Sequence, residues 1–128
     1  MSLPDKLRAA GLNFEKFQDT KWLRGNFSVA DDRTQGFFLY SEADELAGHS
    51  EYDFLSAVGP ADDAANVKKA CEEITDYQRG AIVIAWGQIC VKIEIPEDLD
   101  AMAAKAHVFL VCQTADILEK KIFGGDAR

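Results

Sequence analysis

The sequence predicts an α+β fold, an antiparallel five-stranded sheet with the order α-β-β-β-α-β-β-α and the helices mainly on one face. Three observations carry that expectation. The terminal segment 99–123 repeats apolar residues at helical spacing. The run Ile89 to Ile95 alternates strictly, with Ile89, Val91, Ile93 and Ile95 on one side and Cys90, Lys92 and Glu94 on the other. Short links join consecutive strand-like runs, which favours antiparallel neighbours with helices packed over them.

Ser2-Leu3-Pro4-Asp5 supplies an N-cap, a first-turn proline and an acid, so a short helix starts there and Gly11 ends it. Leu12, Phe14 and Phe17 carry too little pattern to choose between helix and coil. From Trp22 the period falls to two: Leu23, Gly25, Phe27 and Val29 alternate with Trp22, Arg24, Asn26 and Ser28 in a first strand. Asp31-Asp32-Arg33-Thr34 is turn chemistry, and Gln35 to Ser41 forms a second strand. A hydrophilic connection follows from Glu42 to Glu51, then a third strand from Tyr52 to Val58, broken by Gly59-Pro60.

Asp62 and Asp63 stand where a second helix starts, and Val67, Ala70, Cys71 and Ile74 share its inner face. After Gly80, strands at Ala81–Trp86 and Ile89–Ile95 are joined by a tight Gly87-Gln88 link. In the final helix Ala101, Ala104, Val108, Val111, Ala115, Leu118 and Ile122 form one stripe. The unbroken row Val108, Phe109, Leu110, Val111 and Cys112 spreads apolar surface around the circumference. Such a helix needs cover on two sides, one from the sheet and one from a flanking helix or a second copy of the chain. No linker, repeat or low-complexity tract divides residues 1–128, so a single domain is expected.

Composition narrows the function. A formal net charge of −8 repels phosphate backbones and anionic lipid, so neither nucleic acid nor membrane is an expected partner. Cys71, Cys90 and Cys112 lack metal-finger spacing and sit in apolar patterns, as buried thiols of a reducing compartment do. With no signal peptide or spanning segment recognised, a cytoplasmic protein is expected. No phosphate-cradling or serine-hydrolase motif occurs.

Arg33-Thr34-Gln35 leading into a strand, Ser56-Ala57-Val58-Gly59-Pro60 leaving one, and Ala115-Asp116-Ile117-Leu118-Glu119 late in the last helix occur in this order. With the order of elements, they resemble the YbjN family and, more distantly, the type III secretion chaperones. The resemblance implies a bacterial, non-enzymatic module that pairs with itself and offers a sheet face or helix groove to another polypeptide. It supplies no catalytic motif to carry over.

Several clusters are candidate sites. Glu42, Asp44, Glu45, His49, Glu51 and Asp53 concentrate acids, but without calcium-loop spacing they read as a solvated loop. His107 with Cys71 or Cys90 makes a poor thiol dyad, because a reactive thiolate wants an electropositive, partly exposed niche. Arg33 and Gln35, two apart on a strand, share a face and can hold a carboxylate or a backbone segment; the plainer reading is contact with Asp31 or Asp32. Trp22, Phe38, Tyr40 and Trp86 mark a second apolar sheet face, open to a partner or shielded by loops.

The favoured reading is a non-enzymatic protein-binding or regulatory module, chaperone-like and homodimeric, with no cofactor, metal or catalytic residue expected. Trp86, Val108, Phe109, Leu110 and Val111 are its expected association residues. The alternative is a small-molecule or ion-binding regulator that uses the acidic segment 42–53 near Arg33 and Gln35.

Overall fold

A computed structural model describes residues 1–30, 32–46, 48–77 and 79–124. The elements run α1 (Leu3–Ala9), β1 (Phe14–Lys16), β2 (Trp22–Ala30), β3 (Arg33–Tyr40), β4 (Asp44–Leu46), β5 (His49–Pro60), α2 (Ala64–Glu73), a 3-10 turn (Ile74–Asp76), β6 (Ala81–Ala85), β7 (Gln88–Pro96) and α3 (Ala101–Phe123). The mixed class and the antiparallel sheet are as expected. The strand count is not: seven strands form the sheet, in spatial order β1-β2-β3-β5-β7-β6, with β4 paired to β5.

The two additional strands are short, and each is created by its neighbour. Phe14–Lys16, which the sequence left between helix and coil, pairs with Leu23–Gly25. Asp44–Leu46, expected as connection, folds back on His49–Glu51. Three residues are too few for a period to show, so pairing rather than propensity decides them. Glu51 pairs with Asp44 on one side and Pro96 on the other, so β4 continues along β5 on the flank that β3 occupies further on.

Local chemistry explains the helix starts. The Ser2 side chain accepts the Asp5 N–H, Asp63 accepts that of Ala65, and Asp100 accepts that of Ala103. Gly124 ends α3 in the left-handed region, φ 76°. At seven residues α1 is too short to stand alone. Leu3 and Leu7 are fully buried, and two lysines tie it down: Lys6 donates to the Glu97 and Leu99 carbonyls in the connection before α3, and Lys105 of α3 to that of Ala10.

All three helices lie on one face of the sheet. The main core joins Leu3, Leu7, Phe37, Leu39, Phe54, Val58, Ile89, Val91 and Ile95 to Val108, Val111, Ala115 and Leu118 of α3. The opposite face buries Phe38, Leu55, Ala57 and Cys90 beneath strand and loop residues only. β7 separates its residues as expected, Ile89, Val91, Ile93 and Ile95 toward the helices and Cys90 away from them.

Three other expectations are corrected. The tight turn between the last two strands is Trp86-Gly87, because Ala85 pairs with Gln88. Cys71 is exposed on α2, whereas Val67, Ala70 and Ile74 do reach the core. Val108 and Val111 are core residues at 0% and 1% exposure, so they offer nothing to a partner. They fall on the stripe that the sheet covers, and a row of apolar residues in a helix cannot all face one way. The first position of the expected turn, Asp31, and Ala47 in the expected connection lie outside the described residues.

Candidate interaction surface

The Arg33–Gln35 pair sits at the sheet–helix junction, and both side chains are engaged within the chain. The Arg33 guanidinium donates to Asp116 Oδ1 from Nε (2.9 Å) and Nη2 (2.6 Å), and from Nη2 to Glu119 Oε1 (3.4 Å). Asp116 is 5% exposed and Glu119 fully buried. Burial is the largest influence on the Asp116 carboxyl and raises its pKa. The hydrogen bonds and charge of Arg33, with Lys120, overturn it and hold the carboxyl below its usual value.

Gln35, also fully buried, donates through Nε2 to the Ala57 carbonyl, and the Ser56 hydroxyl donates to the Gly36 carbonyl at 3.0 Å. These bonds fall where the β3–β5 ladder stops at Phe37↔Ser56. Side chains there satisfy carbonyls that the diverging strands no longer pair. The pair thus holds a carboxylate and a backbone segment, both internal. The three short motifs at 33–35, 56–60 and 115–119 come together here, and the Phe123 ring closes over Gly59, where an added Cβ would stand 2.4 Å from it.

The sequence expected a contact of Arg33 with Asp31 or Asp32; the contacts described are with Asp116 and Glu119 of α3, and Asp31 lies outside the described residues. The sequence does not single out Asp116 and Glu119 as the partners of Arg33. The available signal was their spacing of three on the buried side of an otherwise apolar helix, each beside a core residue, Ala115 and Leu118.

The acidic segment 42–53 is spread over the β4–β5 hairpin. Glu42 pairs with Lys21 at 3.1 Å in the open, and Asp53 lies 3.6 Å from Lys92. Asp44 stands opposite Glu51, and His49 is exposed. Among the described residues no group of three His, Cys, Asp or Glu side chains converges as a metal site would require. An open depression of about 670 Å³ lies between this hairpin and the N-terminus, lined by Lys6, His49, Glu51 and Glu97 among others.

His107 and Cys90 lie on opposite sides of the sheet and form no dyad. His107 Nδ1 bonds its own helix at Ala103 O, 2.8 Å, on the helical side of the sheet. Cys90 is buried on the other side, where desolvation pushes its thiol up to about 12. A thiol held protonated at neutral pH is no nucleophile.

The sheet face without helices gathers Phe17, Trp22, Phe38, Tyr40 and Trp86. The Trp86 ring lies 4.6 Å from Phe38, 5.2 Å from Phe17 and 5.5 Å from Trp22, while Trp22 stands 5.0 Å from Tyr40. The Arg24 guanidinium is 5.8 Å from the Phe17 and Phe38 rings. Trp86 caps this cluster and is 44% exposed. It occupies the first position of the β6–β7 turn at φ 50°, followed by Gly87 at φ 73°. Two positive φ values define a type I′ turn, whose first position suits Asn, Asp or Gly. A bulky residue there is strained.

Of the other expected association residues, Phe109 is half-buried against Phe27 at 6.0 Å and Leu110 is 37% exposed. The helix α3 is flanked by α1 and α2, lies on the sheet, and leaves Met102 and Leu110 outward. It is long and apolar enough to cross a bilayer by length and composition, as the core helix of a soluble protein also is.

No protein-family model, curated protein or solved structure matches this chain.

Proposed function

We propose that the protein is a non-enzymatic polypeptide-binding or regulatory module of the bacterial cytoplasm, chaperone-like and homodimeric, whose sheet face around Trp86 docks an apolar segment of a partner. One observation carries the reading: Trp86 is held at φ 50° in a turn that favours Asn, with nearly half its surface in water. Strain kept at an exposed aromatic is retained for contact rather than for folding. The neighbouring rings extend the apolar surface, and the charge of −8 keeps such a surface soluble. The order of elements, similar to that of YbjN and secretion chaperones, supports a binding module over an enzyme. Arg33 and Gln35 support it also, since they hold internal partners and not an open ligand site.

The test is a peptide array of varied apolar and charged sequences, read by the emission of Trp22 and Trp86. A subset of apolar peptides should shift that emission, and Trp86→Asn should abolish binding while the fold persists. Identical binding by the variant, or no peptide bound at all, overturns the reading.

A further inference from the structure

The two edges of the sheet are unlike. β1, at one edge, is three residues long and carries Glu15 and Lys16, which discourages further pairing. At the other edge β6 reads Ala-Ile-Val-Ile-Ala, with neither charge nor proline. It belongs to a stretch from Gly80 to Val91 that has no ionisable charge except the buried Cys90 thiol, held protonated. Ile84 on this edge is 57% exposed. Edge strands of folded proteins are guarded against pairing by charge or proline, and β6 carries neither.

Its hydrogen-bonding phase follows from the turn. In a two-residue type I′ hairpin the flanking pair, Ala85 and Gln88, exchanges both backbone bonds, and the pattern alternates from there. Val83↔Cys90 and Ala81↔Lys92 are then bonded pairs, and Ile82 and Ile84 direct their N–H and C=O groups away from β7. Among the described residues no strand lies beyond them.

We infer that β6 pairs with β6 of a second copy, antiparallel about a twofold axis at Val83, so that one sheet runs through both subunits. In this register Ile82 of one copy faces the partner's Ile84, and their outward backbone groups supply both donors and acceptors of the new ladder. The exposed Ile84 side chain falls beside an apolar neighbour on the same face. Ala81 faces the partner's Ala85, and Trp86 falls beside the partner's Gly80, which has no side chain to obstruct it. A second copy is favoured over a foreign strand by the sequence of β6, which reads Ala-Ile-Val-Ile-Ala in either direction, so that an antiparallel copy sets apolar residues opposite apolar residues along its whole length. Charge opposes the approach of two copies carrying −8 each, and the uncharged edge is where that repulsion is least. The inference deepens the homodimeric part of the proposed function by naming its surface, and does not depend on peptide capture at Trp86.

Sedimentation equilibrium with Ile84→Lys, and mild oxidation of Val83→Cys in a Cys71→Ser, Cys90→Ala background that removes the thiol paired with position 83 in the same chain, test it. The unmodified chain should sediment at twice its monomer mass, and Ile84→Lys, altered at an exposed position, at the monomer mass. Val83→Cys should cross-link to a covalent dimer because position 83 lies on the axis, and Ala81→Cys should not. Should Ile84→Lys fail to fold, the contrast between cysteines at 83 and 81 decides. A monomer at every concentration overturns the inference and leaves peptide binding standing. So does a dimer that resists Ile84→Lys and does not cross-link at 83.

Discussion

Arg33 and Asp116, 83 positions apart in the chain, meet through two hydrogen bonds from one guanidinium to one carboxylate oxygen, at 2.9 and 2.6 Å. The pair fastens β3 to the late turns of α3, with Glu119 alongside. Arginine suits this place because its donors are fixed in a fork and it stays charged when desolvated.

Arg33→Met should destabilise the fold by about 3–5 kcal/mol, because it takes the guanidinium away from two buried carboxylates and leaves Asp116 only Lys120, at 3.5 Å. Urea unfolding measures the loss. The pH dependence has a definite sign. The folded pKa of Asp116 lies below its unfolded value, so its contribution is complete above about pH 4 and is lost as pH falls through the depressed folded value. Unfolding scans below pH 4 should therefore show a shallower acid limb for Arg33→Met than for the parent chain.

Gly59→Ala should cost about 1–3 kcal/mol by overpacking, since its Cβ would sit 2.4 Å from the Phe123 ring. Phe123→Leu in the same chain should recover part of that loss. A double-mutant cycle with no coupling between the two positions would refute the contact.

Trp86→Asn exchanges aromatic contacts worth about 0.5–1.5 kcal/mol each for relief of about 1–3 kcal/mol of backbone strain. Thermal stability should change by less than about 1 kcal/mol, by calorimetry, while peptide capture disappears. A large destabilisation would mean that Trp86 serves the fold instead.

Under native conditions near pH 8, Cys71 should react readily with a disulfide reagent, and Cys90 only on unfolding. Cys71 is exposed, whereas burial keeps the Cys90 thiol protonated to about pH 12. Mass spectrometry of labelled peptides, with and without denaturant, distinguishes them.

Elements that repeat long enough to average over neighbours were legible beforehand. The alternation in β7, the stripe of α3 and the Asp63 cap of α2 all appear where the pattern places them. β1 and β4 were not legible, because strands of three residues have no period and exist only through β2 and β5. Arg33 and Gln35 stood out as sharing a face, but their partners did not. An acid at Asp116 looks the same in sequence whether it faces water or a guanidinium 83 positions away. The association residues divided for a similar reason: Val108 and Val111 turned inward with the stripe, and Trp86 stayed outward at its turn.

Sequence alone settled the class of fold, the faces of its long elements and the acidic surface, since these follow from periodicity and composition summed over many residues. Tertiary structure alone decided which charges are buried together, which sheet edge is left unguarded and which tryptophan is held strained in water. Those depend on what lies opposite a residue in space, and no local pattern records the far side of a contact.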